Sequence, residues 1–504
     1  MDQGARRAAA PAGPGSAPLP EDALLRVIAL APRAAQRAAR GASRQLRRLV
    51  DASRREITIC SLGDGAGLMR HVTACCARYP EVQALTIVGL GHGRGAALVP
   101  LLVALAEHCP HLHSVHASLD GPAEAALLTG CLATHSAMGR LRGLAALTLD
   151  VGGELGASDD GFHLQPLQHL AGLTMLELTC PVEGRGWMPR GLRHLRLGGV
   201  PGPEWLGELP VCGGLRVLQL VGLSWADLGV NPIRGDDKTR LCAAVGQLTA
   251  LEELSGILAL SPDDSLPAAA LLRGLTQLRR LALYNDDGAG GHLRPAVRGA
   301  LRDLAPAAAS LEVLALWCGA TPAAGGPALP NVERLHLCAD GAAHLPASLA
   351  GAFPAAADVT IGASGHHVVS SALPVEAAAA LPRLERLTLI GCEDGRERLV
   401  GAAGALGGAP ALRRLRVYGV REAARLVEAA LRAPRLACAQ VLCCGDVGPM
   451  EQSALARAAA AAGVELVVEA AVADAGGAGS RRWWRERWRE LMIEGAVDFA
   501  ALPA

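Results

Sequence analysis

Apolar residues recur along this chain in a fixed short grouping: one apolar position, two free positions, a second apolar position, one free position, a third apolar position. Clear copies are Leu144/Leu147/Leu149, Leu173/Leu176/Leu178, Leu192/Leu195/Leu197, Leu215/Leu218/Leu220, Leu384/Leu387/Leu389 and Leu412/Leu415/Val417. Others begin at Val82, Leu278, Leu311 and Val332, with weaker ones at Leu112, Leu251, Ala356, Leu436 and near Leu466. The last two apolar positions of a copy are two residues apart, which places both on one face of a short strand. Stretches with helical spacing lie between copies, among them 96–109 and 421–433, where Leu426 and Leu431 are available to a core.

Counted from Val82 to Leu412, the copies start every 27.5 residues or so, within the 20–29 range of leucine-rich repeats. Single intervals run from 19 residues (Leu173 to Leu192) to 36 (Leu215 to Leu251), so insertions are expected around 223–248 and 319–330. The pattern resembles the leucine-rich-repeat family, and Leu384 to Cys392 matches its cysteine-containing form. The resemblance implies an α/β solenoid, a ribonuclease-inhibitor-like horseshoe with a parallel sheet on its concave face. A single strand–helix unit cannot bury its own apolar face, so neighbours must stack. A glycine often follows the third apolar position, as in Ile390-Gly391-Cys392 and Tyr418-Gly419-Val420, where the chain leaves the strand.

Residues 19–53 do not fit the repeat. Leu24, Leu25 and Ile28 form one apolar stripe at helical spacing, and Leu46, Leu49 and Val50 form another. Leu19-Pro20, the acids Glu21 and Asp22, Leu24-Leu25-Arg26-Val27-Ile28, Pro32, Ser43-Arg44 and Arg47-Arg48-Leu49-Val50 resemble the F-box. That resemblance implies docking on the Skp-type adaptor of a cullin–RING ubiquitin ligase through Leu19, Pro20, Leu24, Leu25, Val27 and Ile28, with Leu46 and Leu49 in support. Gln36, Gly41 and Ala42 stand where the family has bulky apolar residues, and Leu46 replaces its common tryptophan. The alternative is that these helices only cap the apolar end of the solenoid. The resulting division is a disordered tail over 1–18, an F-box-like segment over 19–53, about fifteen irregular repeats over 54–470, and a linker with a Trp/Arg-rich helix over 471–504.

Composition narrows the function classes. Lys+Arg and Asp+Glu are 48 each, which removes the bulk electrostatic attraction to nucleic acid or anionic membrane. Aromatics are only 3%, so the core is built from Leu, Val and Ala. No apolar run approaches the roughly 18 residues of a membrane span. No secretory signal opens the chain, so its 14 cysteines are expected as reduced thiols in the cytoplasm or nucleus.

Candidate chemistry is sparse. Gly89 to Gly95 looks like a dinucleotide loop, yet Val88-Gly89-Leu90 falls in the repeat register. His108, Cys109, His111, His113 and His116 lack the second closely spaced ligand pair of a zinc site. No metal, cofactor or catalytic constellation is expected, and the chain is read as a binding protein. Trp484, Trp488 and Leu491 share one helical face among arginines, either closing the last repeat or docking a partner. On the concave face, strand alternation brings Arg280, Tyr284, Trp317, Arg334, His336, Arg386, Arg414, Arg416 and Tyr418 together. Five arginines with aromatic neighbours point to an acidic or phosphorylated protein segment as the ligand. The function expected is that of a substrate receptor of an SCF-type (Skp–cullin–F-box) ligase; the alternative is a leucine-rich-repeat scaffold without ligase coupling.

Overall fold

The computed structural model describes residues 34–36, 38, 55–60, 79, 81–90, 98–151, 162–179, 182–183, 186–198, 207–220, 235–257, 272, 274–284, 307, 309–317, 328–339, 349–363, 375–391, 403–420, 422–442, 444 and 447–469. The F-box-like segment lies outside them except for four helical residues between Ala34 and Ala38. The Trp/Arg-rich segment and the 319–327 part of one expected insertion also lie outside. Two compact units divide the chain, Met1–Ala146 and Leu147–Ala504.

In the first unit, strands β1 (Glu56–Cys60), β2 (Ala84–Leu90) and β3 (Ser114–Leu119) run parallel, in that order. Helix α1 (Leu98–His108) follows β2 and α2 (Pro122–Ala137) follows β3. Each strand brings the second and third apolar positions of its copy inward: Leu85 and Ile87, then Val115 and Ala117, all at most 1% exposed.

The second unit repeats this plan. Its main sheet is built from β4 (Ala146–Val151), β6 (Met175–Leu178), β8 (His194–Leu197), β9 (Val217–Leu220), β10 (Glu253–Ile257), β11 (Arg280–Tyr284), β12 (Val313–Trp317), β13 (Arg334–Ala339), β14 (Asp358–Ala363), β15 (Arg386–Ile390), β16 (Arg414–Tyr418), β17 (Cys438–Leu442) and β18 (Glu465–Glu469). Each strand is hydrogen-bonded to the next in that order. A two-residue pair, β5 (Phe162–His163) with β7 (Val182–Glu183), stands apart from it. Helices α3 (Gly235–Gly246), α4 (Leu349–Ala352), α5 (Val375–Ala379), α6 (Ala403–Gly407), α7 (Ala423–Ala430) and α8 (Pro449–Ala462) alternate with the later strands. In α7 the spacing of Ala423, Leu426, Val427 and Ala430 gives a fully buried stripe. Leu431 sits at its C-cap and is half-buried. Consecutive parallel strands, with helices between many of them among the described residues, are the arrangement the leucine-rich-repeat reading predicts.

The register is locked by two recurring sets of hydrogen bonds. From β8 to β17, two successive amides at the start of each strand donate to the carbonyl just before the preceding strand: Arg413 and Arg414 to Glu385, then Ala437 and Cys438 to Arg413, at 2.8–3.1 Å. Before that, the first apolar residue of the copy donates to the carbonyl three residues back, as Leu384 does to Leu381, Leu278 to Leu275 and Leu436 to Ala433. That earlier residue is itself buried: Cys109, Leu141, Leu170, Cys212, Leu248, Leu275, Leu329, Phe353 and Leu381. The working unit is therefore longer than the grouping read from the sequence, with a further apolar position three residues ahead. Where the first position is only Ala356, the earlier one is Phe353, so a large residue fills what a small one leaves. After the strand, a Cβ at Gly391 would collide with the Gly419 carbonyl, and Gly419 has a φ of 53°. Close stacking of the turns requires glycine there.

Inward leucines such as Leu387 are 1% exposed, whereas Leu466 in the last strand is half-buried. Leu387→Ala is expected to cost about 2–5 kcal/mol in denaturant unfolding, and Leu466→Ala distinctly less. Equal losses at the two positions would contradict the burial gradient.

Candidate functional site

The face of the sheet opposite the leucines carries three columns of side chains, each fixed by the pairing register. The first runs Glu253, Arg280, Val313, Arg334, Asp358, Arg386, Arg414, Cys438, Glu465 from β10 to β18. Ser255, Ala282, Ala315, His336, Thr360, Thr388, Arg416, Gln440 and Val467 make the second. Tyr284 and Trp317 end their strands in the third column, which Tyr418 also occupies. Seven of the nine residues expected on the concave face, Arg280, Arg334, His336, Arg386, Arg414, Arg416 and Tyr418, are thus on one side of one sheet. For Tyr284 and Trp317 only the backbone is described.

Exposure differs from the sequence expectation. Arg280, Arg334, Arg386 and Arg414 are exposed and Arg416 is half-buried, but His336 is 4% and Tyr418 8% exposed. Strand alternation decides which face a side chain leaves from; it does not decide what stands over that face. Ser255, Ala282, Ala315 and Thr360 in the His336 column are buried as well, and Ile390 and Leu442 flank Tyr418 equally buried. His336 and Tyr418 therefore belong to covered parts of this face, and the first column is its accessible part.

Arg280 and Arg386 of that column and Arg416 of the second are embedded in cross-strand pairs. Arg386 meets Asp358 at 2.9 Å and Arg280 meets Glu253 at 3.4 Å, while Arg416 Nε donates to Gln440 Oε1 at 2.6 Å. Arg196 pairs with Glu177 at 3.1 Å in the second column on β8 and β6. Each arginine pair is between neighbouring strands at opposed positions, where opposite charges stabilise modestly and like charges do not. Asp358, Glu253 and Gln440 were not singled out from the sequence. Aligning the copies at the second free position, which sets Glu253 beside Arg280 and Asp358 between Arg334 and Arg386, is the signal that finds the two acids. Column spacing of about 4.8 Å puts Arg386 and Arg414 within reach of one carboxylate or phosphate.

Of the histidine cluster, Cys109 is buried and His111, His113 and His116 are exposed. Among the described residues no three His, Cys, Asp or Glu side chains gather in a way that could hold a metal. Cys444 is buried with its thiol directed at the Leu442 carbonyl 3.3 Å away. No helix among the described residues is long and apolar enough to cross a membrane.

Comparison with known proteins adds little to this geometry. No protein-family model matches the chain, and no curated protein matches it. Among solved structures it is similar to a chain in the crystal structure of the Rad7 and Elc1 complex in yeast, at 12% identity and a TM-score of 0.35. The overlap covers 84% of this chain and 86% of that one. The fold assignment rests on the strand register.

His336 supplies a pH-dependent test of the covered column. Its Nε2 has no hydrogen-bond partner among the described residues. Burial lowers its pKa below the ordinary 6.5; the Asp358 carboxylate opposes that shift and Arg334 reinforces it. The folded protein holds the imidazole neutral, so the unfolded chain takes up the proton first. Stability from this group is complete above about pH 6.5 and declines as the pH falls toward the lowered folded value. The melting temperature is expected to drop between pH 7.5 and 5.5 less steeply in His336→Leu than in the wild type. Superimposable slopes would mean that His336 is solvated.

Proposed function

We propose that this chain is a protein-binding substrate receptor of an SCF-type ubiquitin ligase, with no catalytic centre of its own. The order of parts carries this reading: an F-box-like segment over 19–53 precedes an array of stacked parallel strands that presents a continuous side-chain face. One end would dock the Skp-type adaptor and through it the cullin; the strand face would hold a substrate, so that ubiquitin transfer depends on proximity. Such a receptor works in the cytoplasm or nucleus. On the accessible column, Arg334, Arg386 and Arg414 favour an acidic or phosphorylated segment, which must compete with Asp358 for Arg386.

A second reading, a repeat scaffold without ligase coupling, is favoured by Gln36, Gly41 and Ala42 at positions where the F-box has bulky anchors. Interfaces depend on a few large buried residues, so weaker anchors mean weaker docking.

The two readings separate in a titration of the full-length chain with a Skp-type adaptor. The receptor reading expects binding that Leu25→Asp abolishes, since a desolvated unpaired carboxylate costs several kcal/mol. A folded wild-type chain that never binds the adaptor, or a Leu25→Asp variant that binds as well, leaves only the scaffold.

Substrate capture has its own test. It is expected to weaken as salt is raised and to fail in a folded Arg334→Glu/Arg386→Glu/Arg414→Glu variant. Capture indifferent to both would move the site off this column.

A further inference from the structure

The repeat array ends with its core open. In β16 and β17 the two inward positions are closed, with Leu415 and Ala439 at 1% or less and Val417 and Val441 likewise. In β18 the equivalent Leu466 and Val468 are both half-buried. The strand's outer edge has no partner among the described strands, so its amides and carbonyls lack a ladder on that side. On the helix of the same repeat, Met450 of α8 is 82% exposed. An apolar flank of this kind on a solenoid needs a cover, because every preceding repeat closes its core against the next. Acidic residues outnumber basic ones on these two elements: Glu465 and Glu469 are exposed at the two ends of β18, and α8 exposes Glu451 alongside Arg457.

The chain continues for 35 residues beyond Glu469, and their sequence has the complementary chemistry. Residues 481–492 read RRWWRERWRELM, with five arginines against two glutamates and with Trp484, Trp488 and Leu491 at the spacing of one helical face. The intervening 470–480 is rich in Ala and Gly; its 11 residues reach about 36 Å when extended, enough to return the segment to β18. We propose that residues 481–492 cover the open flank of the last repeat. The tryptophans and Leu491 would seat on Leu466 and Val468, and the arginines would face Glu465 and Glu469. The tail is then an intrinsic cap, and its tryptophans are not available to a partner.

The proposal is tested in the full-length chain by hydrogen exchange and thermal melting, comparing the wild type with Trp484→Ala/Trp488→Ala. The amides of β17 and β18 are expected to exchange at least tenfold faster in the variant and its melting temperature to fall, with β11 to β14 unchanged as the internal control. Glu465→Arg/Glu469→Arg, which leaves the apolar contacts in place, is expected to give a smaller acceleration confined to β18 that grows less distinct at high salt. Unchanged exchange in both variants overturns the cap. So does β18 protection that rises with protein concentration alongside self-association, since a second copy would then occupy the flank.

Discussion

The stacking of one strand on the next in fixed register is the constraint from which the other features follow. Each strand offers two inward apolar side chains, too few to form a core alone, and gains one only when its neighbour aligns the same two positions. The paired amides at the strand starts from β8 to β17, donating to one carbonyl, hold that alignment through repeats of unequal length. Insertions can lengthen an interval, as between β9 and β10, because they leave the strand start and its hydrogen bonds untouched. A slip of one residue would turn the leucines outward and bring the Arg column into the core. Such a slip is strongly opposed.

Register also makes the opposite face a surface. Once the inward positions are aligned, the free positions of successive strands are aligned too, and residues far apart in sequence become neighbours about 4.8 Å apart. That is how Asp358 comes to lie between Arg334 and Arg386, and how Arg416 finds Gln440. The surface has an internal electrostatic order, with an acid beside an arginine at several steps. A ligand binding there exchanges one set of ion pairs for another, so specificity follows from geometry more than from net charge, consistent with equal totals of acidic and basic residues.

Most of the fold could be read from the leucines, because burial of both faces' neighbours forces a strict spacing that survives weak copies such as Leu436. The position three residues ahead of each copy was harder to read. It lies in a turn, outside any strand period, and its occupant varies from Cys212 to Phe353. Of the surface, alternation is a local property, and the register columns hold Arg280, Arg334, His336, Arg386, Arg414, Arg416 and Tyr418 on the side opposite the leucines. The sequence could not assign exposure to His336 or Tyr418, because alternation along a strand carries no information about burial of the outward face. The acid partners escaped for a related reason: pairing between strands is visible only after the copies are aligned. The F-box-like segment falls almost wholly outside the described residues, and its reading stays with its sequence.

The alignment of β15 and β16 offers the most direct test of this account. Thr388 and Arg416 face each other across these parallel strands, at a separation a disulfide can span. A Thr388→Cys/Arg416→Cys variant is predicted to form that bridge on mild oxidation, seen as a linked peptide pair by mass spectrometry, while unfolding remains cooperative. A Thr388→Cys/Val417→Cys variant, one residue out of register and directed to the opposite face, is predicted not to. Bridging in the second variant and its absence in the first would contradict the register, and with it both the core and the alignment of the arginine columns.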